Sequence, residues 1–347
     1  MDFVIFDRER FHHLYNCSFY DVDVIPPEKR RHLVLGFLCI FLFLVFEALY
    51  LPCLWAISRL QIERTVSKLM FLLGLSDTCG LIGSGFFCGY YTVTGTVYCA
   101  APTLMLVTDL FAMFCWGVGS LTNVLLALNR CIQIHNSGWA QVIFNDKKFT
   151  RIWLPLILLY GFIGMVGSKP IFFSSIYMIG FFNPHQGYFE DTEKYHNYLH
   201  TLNNFFVVVG IVSMYVFFFV GLAIRRRMRL NGTTIGPVRR IQRHEISTFC
   251  QILIIALLEV STCLIYIYIQ FFKSTQLVYY VGTFTFLFRQ GSPSIIYLVA
   301  NKRIRNILRR ALGFPINRIK GQTTLHSASV EARFGTQSTV RPIQNFH

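Results

Sequence analysis

Seven long apolar stretches constrain this chain of 347 residues more than any other feature of its sequence. Each has 22 to 27 residues and at most one charged side chain, and a run of about 18 such residues is long enough to cross a hydrocarbon core. Lipid offers no partners to backbone polar groups, so each stretch is expected to be a helix. A soluble core would need amphipathic helices instead. The predicted spans are 33–57, 69–91, 103–128, 152–173, 202–224, 246–272 and 277–300.

The predicted fold is therefore an all-α membrane protein, a seven-transmembrane helix bundle that passes through the plasma membrane several times. The net charge of +15 is unevenly distributed over its connections. Segments on one side hold 23 of the 32 Lys and Arg residues, and segments on the other side hold 7. Basic loops favour the cytoplasmic side, so the N-terminus is expected outside and the C-terminus inside. This asymmetry also argues against a nucleic-acid partner, because the positive charge follows the topology.

The spans divide the chain into four segments. The outer tail contains Asn16-Cys17-Ser18, an acceptor pattern for N-glycosylation at Asn16. The segment after the last span has its apolar residues on one helical face with basic residues beside them, as in helices that lie on an anionic membrane surface. The final segment is rich in Ser, Thr, Gln and Gly and is expected to be disordered. The four segments are an outer tail (1–32), the bundle (33–300), an amphipathic inner helix (301–312) and an inner tail (313–347).

Two ionisable side chains of opposite charge are predicted to form a polar core. At 1.5 Å per residue, Asp77 lies about 12 Å and Arg289 about 17 Å from the inner face. A charge inside the membrane is costly, so each is expected to face the interior and find a partner. Water or Asn123 could bridge the pair. Both a fixed clamp between helices and a hinge that repacks on activation agree with this pattern.

Two carboxylates, Asp109 and Glu259, are the candidates for ligand contact. Asp109 lies toward the outer end of its span and Glu259 near the middle. A carboxylate facing an outward cavity could bind a cationic or hydrogen-bonding ligand, and the alternative for either is a satisfied interior carboxyl. Glu259 is the weaker candidate of the two.

Ten cysteines are present, and most lie within the predicted spans, where they are expected to act as small apolar residues. Cys17 and Cys99 both fall on the predicted outer, oxidising side. They are predicted to form a disulfide that ties the outer tail over the mouth of the bundle, with Cys88 as a competing partner. The spacing of Cys and His residues does not match a metal site, and no metal or cofactor is expected.

The inner ends of the third and seventh spans carry polar motifs that resemble those of G-protein-coupled receptors. Asn129 and Arg130 follow the third span, and Pro293 and Tyr297 lie near the inner end of the seventh. The resemblance implies that Arg130 contacts the α-subunit of a G protein, that Asn129 adjoins it, and that Pro293 with Tyr297 forms an activation hinge. The basic run Arg225, Arg226 and Arg227 is expected to complement the same acidic partner.

A series of short motifs is distributed along roughly residues 15–312. They are Tyr15–Ser18, Leu49–Leu54, Lys68–Met70, Leu73–Leu75, Asp77, Ala127–Cys131, Phe181–Pro184, His200, Asn203, Asn204, Tyr268–Phe272, Pro293, Ile296–Leu298, Asn301, Ile304 and Arg305. In their order and spread they resemble one group of receptors more closely, the nematode serpentine receptors of class T, a family of chemoreceptor-like proteins. This resemblance implies a chemosensory receptor that binds an external small molecule or peptide and signals through a heterotrimeric G protein.

The motifs differ from the general receptor pattern at three places. Asn129 replaces the acidic residue that usually precedes Arg130, so the salt bridge that restrains the Arg in the resting state is unavailable. Cys131 replaces the Tyr that usually follows the Arg. Tyr297 follows Pro293 by four residues rather than three, which turns its ring about 100° around the helix. The resemblance to class T includes this spacing and implies a variant of the switch.

Three other classes of function compete with a receptor. The main alternative is a ligand-gated ion channel of the insect odorant-receptor type. An enzyme is not expected, because motifs such as His-Glu-x-x-His and Gly-x-Gly-Asp are absent. A transporter is not expected either, because the sequence shows no inverted repeat.

Orientation separates the receptor from the channel, since insect odorant channels have their N-terminus inside. An epitope tag on residue 1 is expected to bind antibody on intact cells, and a tag on residue 347 only after the cells are permeabilised. The opposite staining pattern would contradict the receptor prediction.

Overall fold

The computed structural model of the chain describes residues 4–18, 20–60, 65–189, 192–230 and 243–313. The predicted disordered tail lies outside these residues from position 314 onward. The chain divides into two units, Met1–Leu308 and Arg309–His347. The first holds the helix bundle, and the described part of the second is the end of the last helix and the turn after it.

Seven long helices correspond to the seven predicted spans. The second continues through a π-helical turn at Ile82–Phe87 into Cys88–Thr94, and the fourth follows a π-helical turn at Phe149–Trp153. The helices are α1 (Leu33–Arg59), α2 (Thr65–Leu81), α3 (Pro102–His135), α4 (Leu154–Val166), α5 (Tyr198–Leu230), α6 (Arg243–Phe271) and α7 (Gln276–Ala300).

Within the described residues, six helices are long and apolar enough to cross a membrane. The remaining long helix, α7, is less apolar because Arg289, Gln290 and two serines interrupt it. Helix α3 lies at the centre and packs against α2, α4, α5 and α6. Long apolar side chains such as Phe41, Leu159 and Phe217 are exposed on the outer helices, as lipid-facing positions require.

Several predicted boundaries were wrong at the membrane edges. Helix α3 continues to His135, so Arg130 lies within the helix and not at its end. Helix α5 continues to Leu230 and helix α6 begins at Arg243, so both helices extend beyond the predicted spans, which end at 224 and begin at 246. Polar residues propagate a helix beyond the lipid as readily as apolar ones, so hydropathy marks the membrane edge and not the helix end.

The predicted fourth span was also too long. Helix α4 ends at Val166, and the apolar residues that follow Pro170 form strand β1 (Phe172–Ser174), which pairs antiparallel with β2 (Ile179–Phe181). Phe172 opposes Phe181, and Phe173 opposes Gly180. The strand residues are apolar because the outer segments bury them, and that composition resembles a membrane span.

Shorter elements fill the connections on both sides. An amphipathic helix, α8 (Lys302–Ala311), begins one residue later than predicted, because the side chain of Asn301 accepts hydrogen bonds from the backbone N–H groups of Arg303 and Ile304. The remaining helices and turns are Val4–Phe6, Arg8–Tyr15, Val22–Val24, Pro27–Arg30, Tyr98–Ala100, Ser137–Ile143, Asp146–Lys148 and Thr192–Tyr195.

Helices α3 and α4 cross at a pair of glycines. A Cβ at Gly117 would lie 3.0 Å from Gly161 Cα, and one at Gly161 would lie 2.6 Å from Val118 Cγ2 and 3.0 Å from the Phe114 carbonyl oxygen. Small residues allow this approach, on which helix association in lipid depends. One turn further along α4, Gly164 has no atom of another residue within 4 Å of the same position.

These two glycines give a matched test of the α3–α4 contact. Gly161→Leu is expected to destabilise the purified protein by about 1–3 kcal/mol because the new side chain overpacks against backbone. Gly164→Leu, on the same helix, is expected to leave the thermal unfolding midpoint unchanged or slightly raised. Equal midpoints for the two variants would show that α3 and α4 do not make this contact.

Candidate functional site

A cavity lies in the bundle on the side of the hairpin β1–β2. Helices α3, α5, α6 and α7 and the continuation of α2 over Ile82–Phe87 and Cys88–Thr94 form its wall, and the hairpin residues Phe173 and Gly180 line it as well. Most of the lining is apolar or aromatic. Its polar members include Ser84, Asp109, His200, Asn204, Thr262 and Thr283. A mainly apolar cavity with a few convergent polar groups is typical of a small-molecule site.

Asp109 is in the wall of this cavity, where the sequence predicted a ligand contact. Its Oδ2 accepts a hydrogen bond from the backbone N–H of Phe173 at 3.2 Å, which joins helix α3 to strand β1. The hydroxyl of Thr283 on α7 donates to the carbonyl oxygen of Met178 in the turn of the hairpin. The hairpin is thus fixed over the cavity from two sides. No Lys or Arg contributes to the cavity lining among the described residues.

Glu259 does not line the cavity, and its surroundings are those of the satisfied interior carboxyl that the sequence offered as the alternative to ligand contact. Its side chain is 1% exposed, and Arg289 Nε lies 2.6 Å from its Oε2. Asn123 Nδ2 donates to the same oxygen at 2.7 Å. Arg289 Nη1 also lies 3.6 Å from Asp77 Oδ1, and the hydroxyl of Tyr50 donates to Asp77 at 2.9 Å. The polar core therefore joins five helices.

The predicted core residues Asp77, Asn123 and Arg289 do come together, but Arg289 is closer to Glu259 than to Asp77. The depth of Glu259, about 20 Å from the inner end of its predicted span, is similar to that of Arg289 and was a usable signal. Tyr50 carried no comparable signal, because a Tyr within an apolar run does not indicate which helix its hydroxyl will face.

The cavity and the polar core are connected by short steps. Ser84 lines the cavity and donates to the side-chain oxygen of Gln290, the residue after Arg289. Cys263 also lines the cavity and lies one helical turn from Glu259 on α6. A molecule in the cavity could therefore contact Ser84 or Cys263, each of which is close to a charged residue of the polar core, Arg289 or Glu259.

The outer tail is joined to the bundle beside the hairpin. Cys17 and Cys99 form a disulfide, and Cys88 is a buried free thiol. The hydroxyl of Tyr20 is 3.0 Å from Nδ1 of His185, and Nε2 of His185 is 3.2 Å from the carbonyl oxygen of Leu14.

Burial affects the two titratable rings at this junction in opposite directions. It lowers the pKa of the fully buried His185, whose charged form is disfavoured away from water, and raises the pKa of Tyr20. Both side chains therefore remain neutral at pH 7 and serve as hydrogen-bonding groups between the tail and the segment after β2.

The predicted glycosylation site, Asn16, lies next to the disulfide and is partly exposed. Its Oδ1 accepts a hydrogen bond from the backbone N–H of Ser18 at 2.9 Å. Glycosylation of Asn16 stays a prediction. Among the described residues, no group of three or more His, Cys, Asp or Glu side chains is arranged to hold a metal ion.

At the opposite end of α3, Arg130 is partly exposed, and its Nη1 donates to Gln133 Oε1 at 3.0 Å. Asn129 is only 3% exposed, so the structure does not place it on the inner surface where the sequence predicted a coupling contact. Arg227 is exposed near the end of α5, whereas the side chains of Arg225 and Arg226 lie outside the described part of the chain.

The predicted hinge residues lie in the inner half of α7. Pro293 is inside the helix and cannot donate a backbone hydrogen bond to the carbonyl of Arg289 one turn earlier. Tyr297 is 1% exposed and belongs to an apolar cluster with Leu69, Leu126 and Ile304. A change in the position of α7 would therefore alter its packing against α2, α3 and α8. A hinge motion at these residues stays a prediction.

Comparisons with known proteins agree with this architecture. Residues 1–321 match the family model described as "Serpentine type 7TM GPCR chemoreceptor Srt". The chain is 24% identical over 295 residues to serpentine receptor class T-55 of Caenorhabditis elegans, which covers 84% of this chain and 78% of that protein. Its fold is similar to the crystal structure of squid rhodopsin, with a TM-score of 0.63 at 10% identity over 91% of this chain and 93% of rhodopsin.

These matches confirm the predicted seven-helix receptor fold and the resemblance to class T. Such matches are typical of a multi-pass membrane protein of the plasma membrane, and none of the three supports the ion-channel alternative. The outward orientation of the N-terminus stays a prediction.

The polar core gives a sharp test of the bundle. Arg289→Met is expected to destabilise the purified protein by about 3–5 kcal/mol, because it leaves Asp77 and Glu259 buried without their cation. The triple variant Arg289→Met, Asp77→Asn, Glu259→Gln removes all three charges and is expected to recover most of that loss. Thermal unfolding in one detergent compares them, and a triple variant no more stable than Arg289→Met would contradict the ion-pair assignment.

Proposed function

Because this chain belongs to the Srt family of serpentine seven-transmembrane chemoreceptors, we propose that it binds an external ligand in the cavity beneath the hairpin and signals through a heterotrimeric G protein. The observation that carries the proposal is the arrangement of three side chains along one helix. Helix α3 presents Asp109 to the cavity, Asn123 to the polar core and Arg130 to the inner end. One rigid element thus extends from the ligand site to the surface where a G protein would bind.

The coupling would proceed through the buried charges. A ligand that contacts Asp109 changes the contact between the hairpin and α3, because the carboxylate already accepts a hydrogen bond from the backbone N–H of Phe173. The same helix holds Glu259 through Asn123, and Glu259 holds Arg289 of α7. A ligand shifts such an equilibrium only by as much as its affinity differs between the two states. Contacts that rearrange with the polar core would supply that difference.

The positive charge of the inner surface is complementary to an acidic surface on a G protein. Arg130 and Arg227 are accessible there, and Lys and Arg dominate the connecting segments. Asn129 is buried, so any effect of its substitution would act through the packing of α3 and not through direct contact. Electrostatic attraction of this kind favours encounter with an acidic partner and weakens as salt rises.

The proposal is tested by screening small odorants and short peptides on cells that express the chain, with second messengers as the readout. Arg130→Ala is expected to abolish the response while ligand binding is retained. Arg59→Ala, a substitution of another exposed arginine at the inner side of the bundle, serves as the matched control and is expected to respond normally. Surface expression is measured for each variant.

Asp109→Asn addresses the ligand site in the same assay. It is expected to raise the half-maximal ligand concentration by about tenfold, equivalent to ~1.4 kcal/mol of binding free energy, without lowering the maximal response. A full response from Arg130→Ala would contradict coupling through this surface. An unchanged concentration dependence for Asp109→Asn would remove Asp109 from the ligand site.

A further inference from the structure

We propose that a cleft between helices α4 and α5, open toward lipid, is the entrance through which a small lipophilic ligand reaches the cavity. The inference rests on the proposed receptor function and adds to it both a route and a ligand class. The ligand would be a mainly hydrocarbon molecule with a neutral hydrogen-bond donor, such as a hydroxyl group. It would dissolve in the outer half of the membrane before it binds.

The cleft is a second cavity, whose floor is formed by α3. Helices α4 and α5 make few backbone contacts with each other, unlike their contacts with α3. Ile163, Gly164, Leu202 and Phe206 line it, and Leu202 and Phe206 are among the exposed apolar side chains of α5. Its lining is almost entirely apolar, so it accepts hydrocarbon and not a hydrated molecule.

A single layer of side chains separates the cleft from the ligand cavity. Met113, Trp116 and His200 line both spaces. The rings of Trp116 and His200 are stacked, with centroids 4.7 Å apart and planes inclined by 23°. Asn204, which also lines the ligand cavity, is 3.4 Å from Nδ1 of His200. Rotation of these two rings would join the two spaces without movement of any helix backbone.

The bottom of the cleft is closed by a polar contact. The hydroxyl of Tyr160 on α4 donates to Oδ1 of Asn203 on α5. This bond holds the two helices together on the inner side of the cleft. On the outer side, Asn197 Nδ2 at the start of α5 donates to the carbonyl oxygen of Lys169 just after α4 at 2.8 Å, so the cleft is the gap between these two contacts. His200, Asn203 and Asn204 are among the residues that carry the resemblance to class T, and here they form the wall and the inner end of the entrance.

The direct route from the outer solution is more strongly closed. The hairpin is bonded to Asp109 and Thr283, and the disulfide fixes the outer tail nearby. A hollow on the outer side shares Ile171, Gly180 and Tyr266 with the ligand cavity. Its wall is tightly packed there, since a Cβ at Gly180 would lie 2.8 Å from Ile171 Cδ1. This hollow is the competing route.

The chemistry of the two spaces defines the ligand class. A charged group crossing the cleft would be desolvated without a partner, which excludes permanently charged ligands. The ligand cavity offers acceptor groups, with the carboxylate of Asp109 at one side and His200 with Asn204 at another. A ligand with one hydroxyl group is neutral, as the cleft requires, and can donate a hydrogen bond to one of the acceptors in the cavity. Its hydrocarbon body fills the remaining apolar volume.

The test uses the purified full-length chain in phosphatidylcholine vesicles that contain a diazirine-bearing fatty alcohol as the probe. After irradiation, mass spectrometry locates the labelled residues. Labelling is expected both in the cleft, around Ile163 and Phe206, and in the ligand cavity, around Tyr266 and Phe286, which do not line the cleft.

Gly164→Phe provides the discriminating variant. The open space at this position accommodates a side chain that fills the cleft without a backbone clash. It is expected to lower labelling of Tyr266 and Phe286 several-fold. Leu158→Phe adds the same ring to an exposed position of α4 that does not line the cleft, and it is expected to leave labelling unchanged. Equal unfolding midpoints establish that both variants are folded.

Two labelling results would overturn the proposed entrance. Labelling confined to the cleft would make it a surface site for membrane lipid with no connection to the cavity. Cavity labelling that Gly164→Phe leaves intact would assign entry to the outer hollow. Because labelling requires no G protein, a receptor that takes up the probe but fails to couple through Arg130 would refute the proposed signalling and leave the entrance standing.

Discussion

The guanidinium of Arg289 lies deep in the bundle with its side chain 2% exposed, between carboxylates from two other helices. A cation in this position has no water to stabilise it, so the helix that carries it is held only where both Glu259 and Asp77 can reach it. Asn123 on α3 donates a hydrogen bond to Glu259, and Tyr50 on α1 donates one to Asp77. This requirement fixes the rotation of five helices about their axes, which the lipid-facing apolar side chains alone would leave free.

The same constraint explains why α3 can act as the organising helix. It occupies the centre of the bundle, and its contacts differ along its length: glycines toward α4, an amide toward the polar core and a partly exposed arginine at the inner end. Close packing at Gly117 and Gly161 makes the α3–α4 pair rigid, whereas the hydrogen bonds to Glu259 link α3 to the more polar α7. A receptor needs both properties, since a packed interior transmits displacement and a polar contact can be exchanged.

The seven helices could be predicted from the sequence, because a long apolar run in lipid satisfies its backbone hydrogen bonds only as a helix. The sequence was also sufficient for the pairing of Asp77 with Arg289, because depth in the membrane can be counted along each helix. It was insufficient for the preference of Arg289 for Glu259, which depends on helix rotation. It failed at residues 167–173, where a buried strand is as apolar as a membrane span. It also failed at Asn129, whose burial follows from which face of α3 the neighbouring helices cover.

The outer end of α5 shows how a short polar sequence can shape an apolar site. Asn197 caps the helix by accepting a hydrogen bond from the backbone N–H of His200 at 2.9 Å, which sets the direction of its first turn. That direction turns His200, Asn203 and Asn204 toward α3 and α4 and leaves Leu202, which lies between them, exposed toward lipid. A fully apolar first turn could pack against α4 along its whole length and close the cleft. Polar side chains instead find partners at discrete points, such as Tyr160, and the gap between those points is the space that connects the membrane with the wall of the ligand cavity.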